Sequence, residues 1–253
     1  MTNVDVRVFP SLDELSRSAA SAFEKASCSK AGKTFSVALS GGLTPRMLYQ
    51  ILGGQPFAKR IAWENIHLFQ ADERCVAPDH PDSNYRLIRE TLLDRAGVPP
   101  GNFHRMKAEQ ADLEKAAEDY ADELARVLKP PKGSVPRLDM IFLGMGPDGH
   151  TASLFPGTAA LEERTAWVRP NYVEKLGMRR LTMTFPLLNA AEHVIFLVAG
   201  ADKAAVLLKV FEGPTEQFPA QRVQPLDGTL SWFLDEAAAR KFSATTRGEL
   251  CQK

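Results

Sequence analysis

Apolar residues along this chain recur with two periods, and the way those periods alternate predicts strands interleaved with helices. Residues 4–9 read as a first strand. In 12–25 the apolar positions Leu12, Leu15, Ala19, Ala22 and Phe23 follow helical spacing behind Ser11, which predicts an N-capped helix. Residues 34–39 form a short buried strand, and 45–52 a helix with Thr44 as N-cap and Pro45 at its first position. A strand over 66–71 follows, then a helix over 84–96 that stops at Gly97. A longer helix, about 112–128, places Leu113, Ala117, Tyr120, Leu124, Val127 and Leu128 on one face before the proline-rich linker 130–136 breaks it. After the apolar run 138–146 come strands near 180–184 and over 193–199, a helix over 203–212, and a closing helix from about 232 to 240. This order predicts an α/β fold, a doubly wound, mostly parallel sheet with helices on both faces. Ligands in such sheets sit beyond the carboxyl ends of the strands.

Length and composition narrow the setting. With 253 residues and no internal repeat, one domain spanning 1–253 is expected. Lys+Arg and Asp+Glu are equal at 31 each, so no net field draws the chain to nucleic acid or to an anionic membrane, and anion recognition must be local. Three cysteines, Cys28, Cys75 and Cys251, have neither an even count nor metal-ligand spacing, which suits unpaired thiols in a reducing compartment and no metal centre. The first residues carry acids and no leader-like apolar run, and no apolar stretch is long enough to span a bilayer. A cytoplasmic, soluble protein is expected, monomeric or weakly homo-oligomeric, with a small molecule as its partner.

Polar residues gather after four of the strands. Ser40-Gly41-Gly42-Leu43-Thr44-Pro45 is a glycine turn running into a helix N-terminus, where free N–H groups and the helix dipole favour an anion; read alone, it is equally an ordinary capped turn. No lysine follows the glycines as in a Walker loop, and Ser40 is not in a nucleophile elbow. Asp72-Glu73-Arg74 ends the next strand, with Asp82-Ser83-Asn84 before the helix beyond it; the bland alternative is a solvated loop. In Gly144-Met145-Gly146-Pro147-Asp148-Gly149-His150 a strand ends in three glycines bracketing an aspartate, with a histidine where a helix is expected to begin. Glycines allow close approach of backbone to ligand. Histidine suits proton transfer near neutrality, although a capping role for His150 or Asp148 is open. A dinucleotide fingerprint would lie nearer the N-terminus. The fourth cluster pairs Arg179-Arg180 with Asp202-Lys203, a cation placed against the helix dipole unless an anionic ligand is present.

Taken in order, SGGLTP, ADERCVAPDHPDSN, LGMGPDGHTASLFPG and RLTMTFPLLNAAEHVIFLVAGADKA resemble the 6-phosphogluconolactonase family over roughly residues 34–210. The resemblance implies hydrolysis of 6-phosphogluconolactone to 6-phosphogluconate in the oxidative pentose phosphate pathway, with no organic cofactor, on a fold shared with glucosamine-6-phosphate deaminases. Those deaminases are the competing reading. They typically follow the histidine with a stretch of the type IAFNEPG, whereas Leu154 and Phe155 stand here where that pattern has Asn and Glu. A non-catalytic sugar-phosphate sensor is a third reading, disfavoured because His150 and Asp148 are both present.

The lactonase reading assigns His150 as general base and then acid, with Asp148 or Asp72 orienting its ring. Arg74 is the first choice for the oxyanion, helped by backbone N–H groups of 144–149, with phosphate binding as its alternative. The substrate phosphate is expected over Ser40, Gly41, Gly42 and Thr44, neutralised by Arg180 and Lys203. Strand alternation sends Arg179 and Arg180 to opposite sides, and the family pattern of Arg two residues before Thr selects Arg180.

Overall fold

In the computed structural model, which describes residues 4–30 and 32–243, seven strands form one parallel sheet. In chain order these strands are β1 (Val4–Phe9), β2 (Phe35–Leu39), β3 (Ile66–Gln70), β5 (Phe103–His104), β6 (Met140–Gly144), β9 (His193–Val198) and β10 (Thr229–Asp235). Their spatial order is β1-β10-β9-β6-β2-β3-β5, and every pairing is parallel. The helices that cover it include α1 (Leu12–Ser29), α2 (Leu43–Leu52), the short α3 (Phe57–Arg60), α4 (Asn84–Ile88), which passes through the wider π turn Arg89–Leu93 into α5 (Asp94–Ala96), α6 (Leu113–Leu128), α7 (Phe185–Leu188) and α8 (Ala204–Glu212).

Side-chain alternation along the central strands divides the core in two. Leu39, Leu68, Phe142, Leu197 and Phe233 face Leu15, Phe23, Leu48 and Leu52 of α1 and α2. Ala38, Phe69, Ile141, Phe196 and Trp232 face Tyr120 and Leu124 of α6 and Leu207 of α8. Both faces of the sheet are thus dry, which is why its strands read as nearly unbroken apolar runs. The expected doubly wound α/β fold is the one present.

Three features of the fold depart from the sequence reading. The stretch expected as a closing helix is the strand β10, inserted between β1 and β9. With both faces covered, Leu-Ser-Trp-Phe-Leu has no period to separate strand from helix, and the pairing of Trp232 beside Phe196, rings 3.9 Å apart, settles it. A second, antiparallel sheet was not anticipated: β4 (Asp72–Arg74), β8 (Met178–Met183) and β7 (Val168–Val173), in the order β4-β8-β7. Finally, residues 145–158 after β6 are a loop with a Thr151–Leu154 bridge and not a helix, so neither Asp148 nor His150 caps one. Cys28 and Cys75 are free thiols, and Cys251 lies outside the described residues.

The strand order places the site. From β2 the chain moves outward through α2 to β3, while β6 leads the opposite way to its other neighbour, β9. The loops after β2 and β6 therefore diverge from adjacent strands and leave a crevice at their carboxyl ends. The small sheet closes one side of it, because only Ala71 separates β3 from β4, with Ala71 N–H donating to Leu39 O and Met183 N–H to Ala71 O.

Candidate active site

The crevice is a pocket of about 300 Å³ whose lining includes Ser40, Gly41, Gly42, Thr44, Asp72, Arg74, His150, Arg180 and Lys203. Nine of the ten expected site residues thus converge from five separate chain segments. The tenth, Asp148, stands directly behind His150.

The first wall is the start of α2. Gly42, with φ of 110°, is the N-cap, and Thr44 and Pro45 are the second and third helical residues, which corrects the expected cap at Thr44. First-turn N–H groups have no acceptor within their helix, so those of Leu43 and Thr44 are available at the pocket. Tyr49 donates its hydroxyl to Ser40 O at 2.5 Å and pins the turn from below. At Gly41 a side chain is excluded, since a Cβ would stand 1.7 Å from Asn84 Oδ1.

The second wall is the small sheet. In β4, Asp72 and Arg74 share a face, and the antiparallel register sets Arg74 opposite Arg180 and Asp72 opposite Thr182. Asp72 is buried, accepting from Ser153 Oγ at 2.7 Å and from Asn84 Nδ2 at 3.2 Å. Arg74 donates to Asp82 O at 2.6 Å, and Arg180 to Ser153 Oγ at 3.3 Å. Burial lowers the Arg180 pKa, with Asp72 opposing and Arg74 reinforcing the shift. Alternation on β8 buries Arg180 and leaves Arg179 exposed.

Between these strands Glu73 is an anchor that sequence reasoning missed. Its carboxylate is 3% exposed and accepts from Gln70 Nε2, Ser83 Oγ and the N–H groups of Arg74, Asn84 and Tyr85, at 2.7 to 3.1 Å. Burial raises its pKa against the pull of these donors. Five bonds to one carboxylate tie β4 to the start of α4, and so fix Arg74 and Asn84 relative to each other.

The third wall is the loop after β6. His150 Nδ1 lies 2.5 Å from Asp148 Oδ1, and its ring stacks on Phe155 with centroids 3.8 Å apart. A carboxylate only accepts, so Nδ1 carries the hydrogen and the Nε2 lone pair is left for another partner. Gly146 makes this fold of the loop possible, because a Cβ there would meet His150 Nδ1 at 2.1 Å and Asp148 Oδ1 at 2.9 Å. Burial pushes the His150 pKa down to about 4; Asp72 opposes this, and Arg180, Lys203 and Arg74 reinforce it. The imidazole is therefore neutral at pH 7. Asp148 is the carboxylate in contact with His150, while Asp72 reaches it only through space. Two of the glycine N–H groups expected to help an oxyanion are engaged elsewhere, Gly146 to His150 O and Gly149 to Gly146 O.

Lys203 completes the rim. It ends the 3-10 turn Ala201–Lys203 and is the N-cap of α8, with its ammonium on Asp202 at 2.6 Å, so the neighbouring acid offsets the cation at the helix start. Among the described residues, buried side-chain atoms with no protein hydrogen-bond partner include Ser40 Oγ, Asn84 Oδ1, Arg74 Nε and Arg180 Nε, all from residues that line this one pocket. Buried polar groups are rarely left unpaired, and their concentration here marks a place where a polar ligand fits. Asn84, Ser153, Glu73 and Lys175, which pairs with Asp148, were not assigned from sequence; Glu73 and Asn84 stood in the polar runs after β3 and Ser153 in the motif after β6, whereas nothing marked Lys175.

An open parallel α/β sheet with a cationic, histidine-bearing pocket at its switch point defines the class. The model of the glucosamine-6-phosphate isomerase/6-phosphogluconolactonase family matches residues 10–232, and the chain belongs to that family. It is 46% identical over 204 residues to a 6-phosphogluconolactonase of Synechocystis sp., covering 80% of this chain and 82% of that protein. It is 41% identical over 249 residues to a 6-phosphogluconolactonase of Rattus norvegicus, covering 94% and 93%. Among solved structures, 6-phosphogluconolactonase from Trypanosoma brucei superposes with a TM-score of 0.85 at 28% identity, covering 96% of this chain and 100% of that one.

Proposed function

We infer that this chain hydrolyses 6-phospho-D-glucono-1,5-lactone to 6-phospho-D-gluconate, the lactonase step of the oxidative pentose phosphate pathway. The observation that carries the reading is the neutral His150, held by Asp148 and seated on Phe155, in one pocket with Arg74, Arg180 and Lys203. Its relatives named 6-phosphogluconolactonase support the same substrate class. A deaminase needs a carboxylate where Phe155 stands. That position is 2% exposed and packed under the imidazole, so an apolar ring has replaced the acid.

The lactone is an ester. In this reading a water gives its proton to His150 Nε2 as its oxygen attacks the carbonyl carbon. The imidazolium then returns the proton to the departing ring oxygen, and Asp148 stays anionic throughout. Arg74 stabilises the tetrahedral oxyanion, a task favoured by its free Nε and by the prior engagement of the Gly146 and Gly149 N–H groups. The phosphate lies on the Ser40-Gly41-Gly42-Thr44 turn, neutralised by Arg180 and Lys203. Asp72 holds Asn84 and Ser153 and favours the imidazolium as it forms. These steps call for no organic cofactor or metal.

The chain is proposed to act as one domain in the cytoplasm, as a monomer or weak homo-oligomer, without nucleic-acid or membrane partners. Among the described residues no helix is long and apolar enough to cross a membrane. The deciding experiment generates the lactone in situ and follows acid release above the spontaneous rate, with ammonia release from glucosamine 6-phosphate measured in parallel. Acid release alone supports the reading; ammonia without it overturns it.

A further inference from the structure

We infer that Lys175 is a positioning residue for His150, acting through Asp148: its ammonium takes the carboxylate oxygen that the imidazole leaves free, and so fixes both the orientation and the basicity of the ring. This rests on the reading of His150 as general base.

Lys175 belongs to the short turn Glu174–Leu176, which with Gly177 at φ 58° closes the hairpin between β7 and β8. Nothing in its local sequence marks it as part of a site. The hairpin nevertheless delivers it to the loop after β6, where Nζ pairs with Asp148 Oδ2. The other oxygen, Oδ1, faces His150 Nδ1 at 2.5 Å and His150 N at 3.3 Å. The two oxygens of one carboxylate are therefore divided between a lysine and the histidine. A second contact is independent of the first, because Nζ also lies 4.8 Å from the centroid of Phe155, the ring on which His150 stacks. Lys175 thus touches both groups that seat the imidazole.

The side chain of Lys175 is 52% exposed, and exposed ion pairs add little to stability. Its consequence lies in the chemistry of its neighbour. A carboxylate against an imidazole favours the imidazolium, yet a general base has to rest in the neutral form. The charged groups around His150 are Asp148 and Asp72, which favour the cation, and Arg74, Arg180 and Lys203, which oppose it. Lys175 neutralises part of the Asp148 charge, so that the carboxylate can orient the ring without holding it as the imidazolium. During turnover the proton moves from water to Nε2 and from Nε2 to the leaving oxygen; Lys175 keeps its own proton and Asp148 its negative charge.

The test compares Lys175→Met, which keeps the length of the side chain and removes the charge, with Lys175→Arg, each in the wild-type and in the Asp148→Asn background. The readouts are the pH profile of lactone hydrolysis and the ring titration of His150 followed by NMR in the free protein. With Lys175→Met, the His150 titration and the acid limb of kcat/KM are expected to move up together by about one pH unit. At neutral pH, where the ring stays neutral in either protein, the lost orientation of the base lowers kcat by roughly tenfold while KM changes by less than about twofold, the split expected of a residue that acts on the base and not on the bound substrate. Arginine restores both. In the Asp148→Asn background Lys175→Met changes neither, as coupling through that carboxylate requires. An unmoved titration and acid limb in Lys175→Met, with His150→Gln inactive, overturns the Lys175 inference alone. A rise in KM with kcat and acid limb unchanged also overturns it, in favour of direct substrate contact. Near-normal turnover in His150→Gln overturns the underlying general-base reading instead.

Discussion

Arg74 and Arg180 stand directly opposite each other on antiparallel strands, two guanidinium groups on one face of a three-stranded sheet. Like charges in that relationship repel, and each has a buried Nε without a protein partner. Asp72, on the same face, offsets only part of the charge, one carboxylate against two guanidinium groups, and it hydrogen-bonds to Ser153 and Asn84 and not to either arginine. The pair is arranged for an anion.

Neutralising either arginine separates their roles. Arg180→Gln is expected to raise KM for the phosphorylated lactone by roughly 10- to 100-fold, the loss of one charge-assisted hydrogen bond, and to diminish the thermal shift produced by inorganic phosphate. Arg74→Gln is expected to lower kcat by about 10²- to 10³-fold, as for an oxyanion donor, with a smaller effect on KM. Because each change also relieves the cross-strand repulsion, neither should lower the melting temperature of the free protein appreciably. A purely KM effect of Arg74→Gln would move that residue to the phosphate.

His150→Gln keeps a polar side chain of similar size and removes the base. Turnover is expected to drop by about 10²- to 10⁴-fold with substrate binding largely retained. In the unaltered protein the base is lost only when His150 gains a proton, so kcat/KM should hold as pH falls and decline near about 4, well below the usual histidine range. The sign for stability follows from the same shift. A histidine kept neutral in the fold but free to protonate when unfolded makes the native state less stable as pH falls from about 6.5 toward the folded pKa, and contributes no pH dependence above about 6.5. An acid limb near 6.5 in kcat/KM would contradict the burial of this ring.

Gly41→Ala puts a methyl group 1.7 Å from Asn84 Oδ1, on a side chain whose amide holds Asp72. Overpacking of this kind costs about 1–3 kcal/mol, so urea denaturation should show that loss together with weaker phosphate binding. Combining it with Asn84→Ala should recover stability while leaving activity low. Unaltered stability in the single variant would mean that the turn and α4 are not in the close contact described.

The parallel sheet was legible because its buried strands and amphipathic helices repeat at distinct periods, as in α1 and α6. It was illegible at β10, where burial on both faces erases the period. The small sheet escaped notice for a different reason. Asp72-Glu73-Arg74 looks like a solvated loop, and Glu73 becomes an interior residue only because distant backbone N–H groups of Asn84 and Tyr85 arrive to meet it. Residues of the site carried by motifs, such as Gly41, His150 and Arg180, could be named in advance. Those carried by long-range partners could not: Ser153 acquires its place from Asp72, and Lys175 from Asp148.

The β7–β8 hairpin carries Lys175 at its turn and Arg180 on its inner strand, yet it lies outside the seven-stranded sheet. Insertions or deletions at its tip would shift one cation against the other while leaving the buried parallel core untouched. The tip, unlike the buried residues Leu181 and Met183 further along its strand, is a place where selection or design can retune the enzyme, an adjustable jaw on a fixed frame.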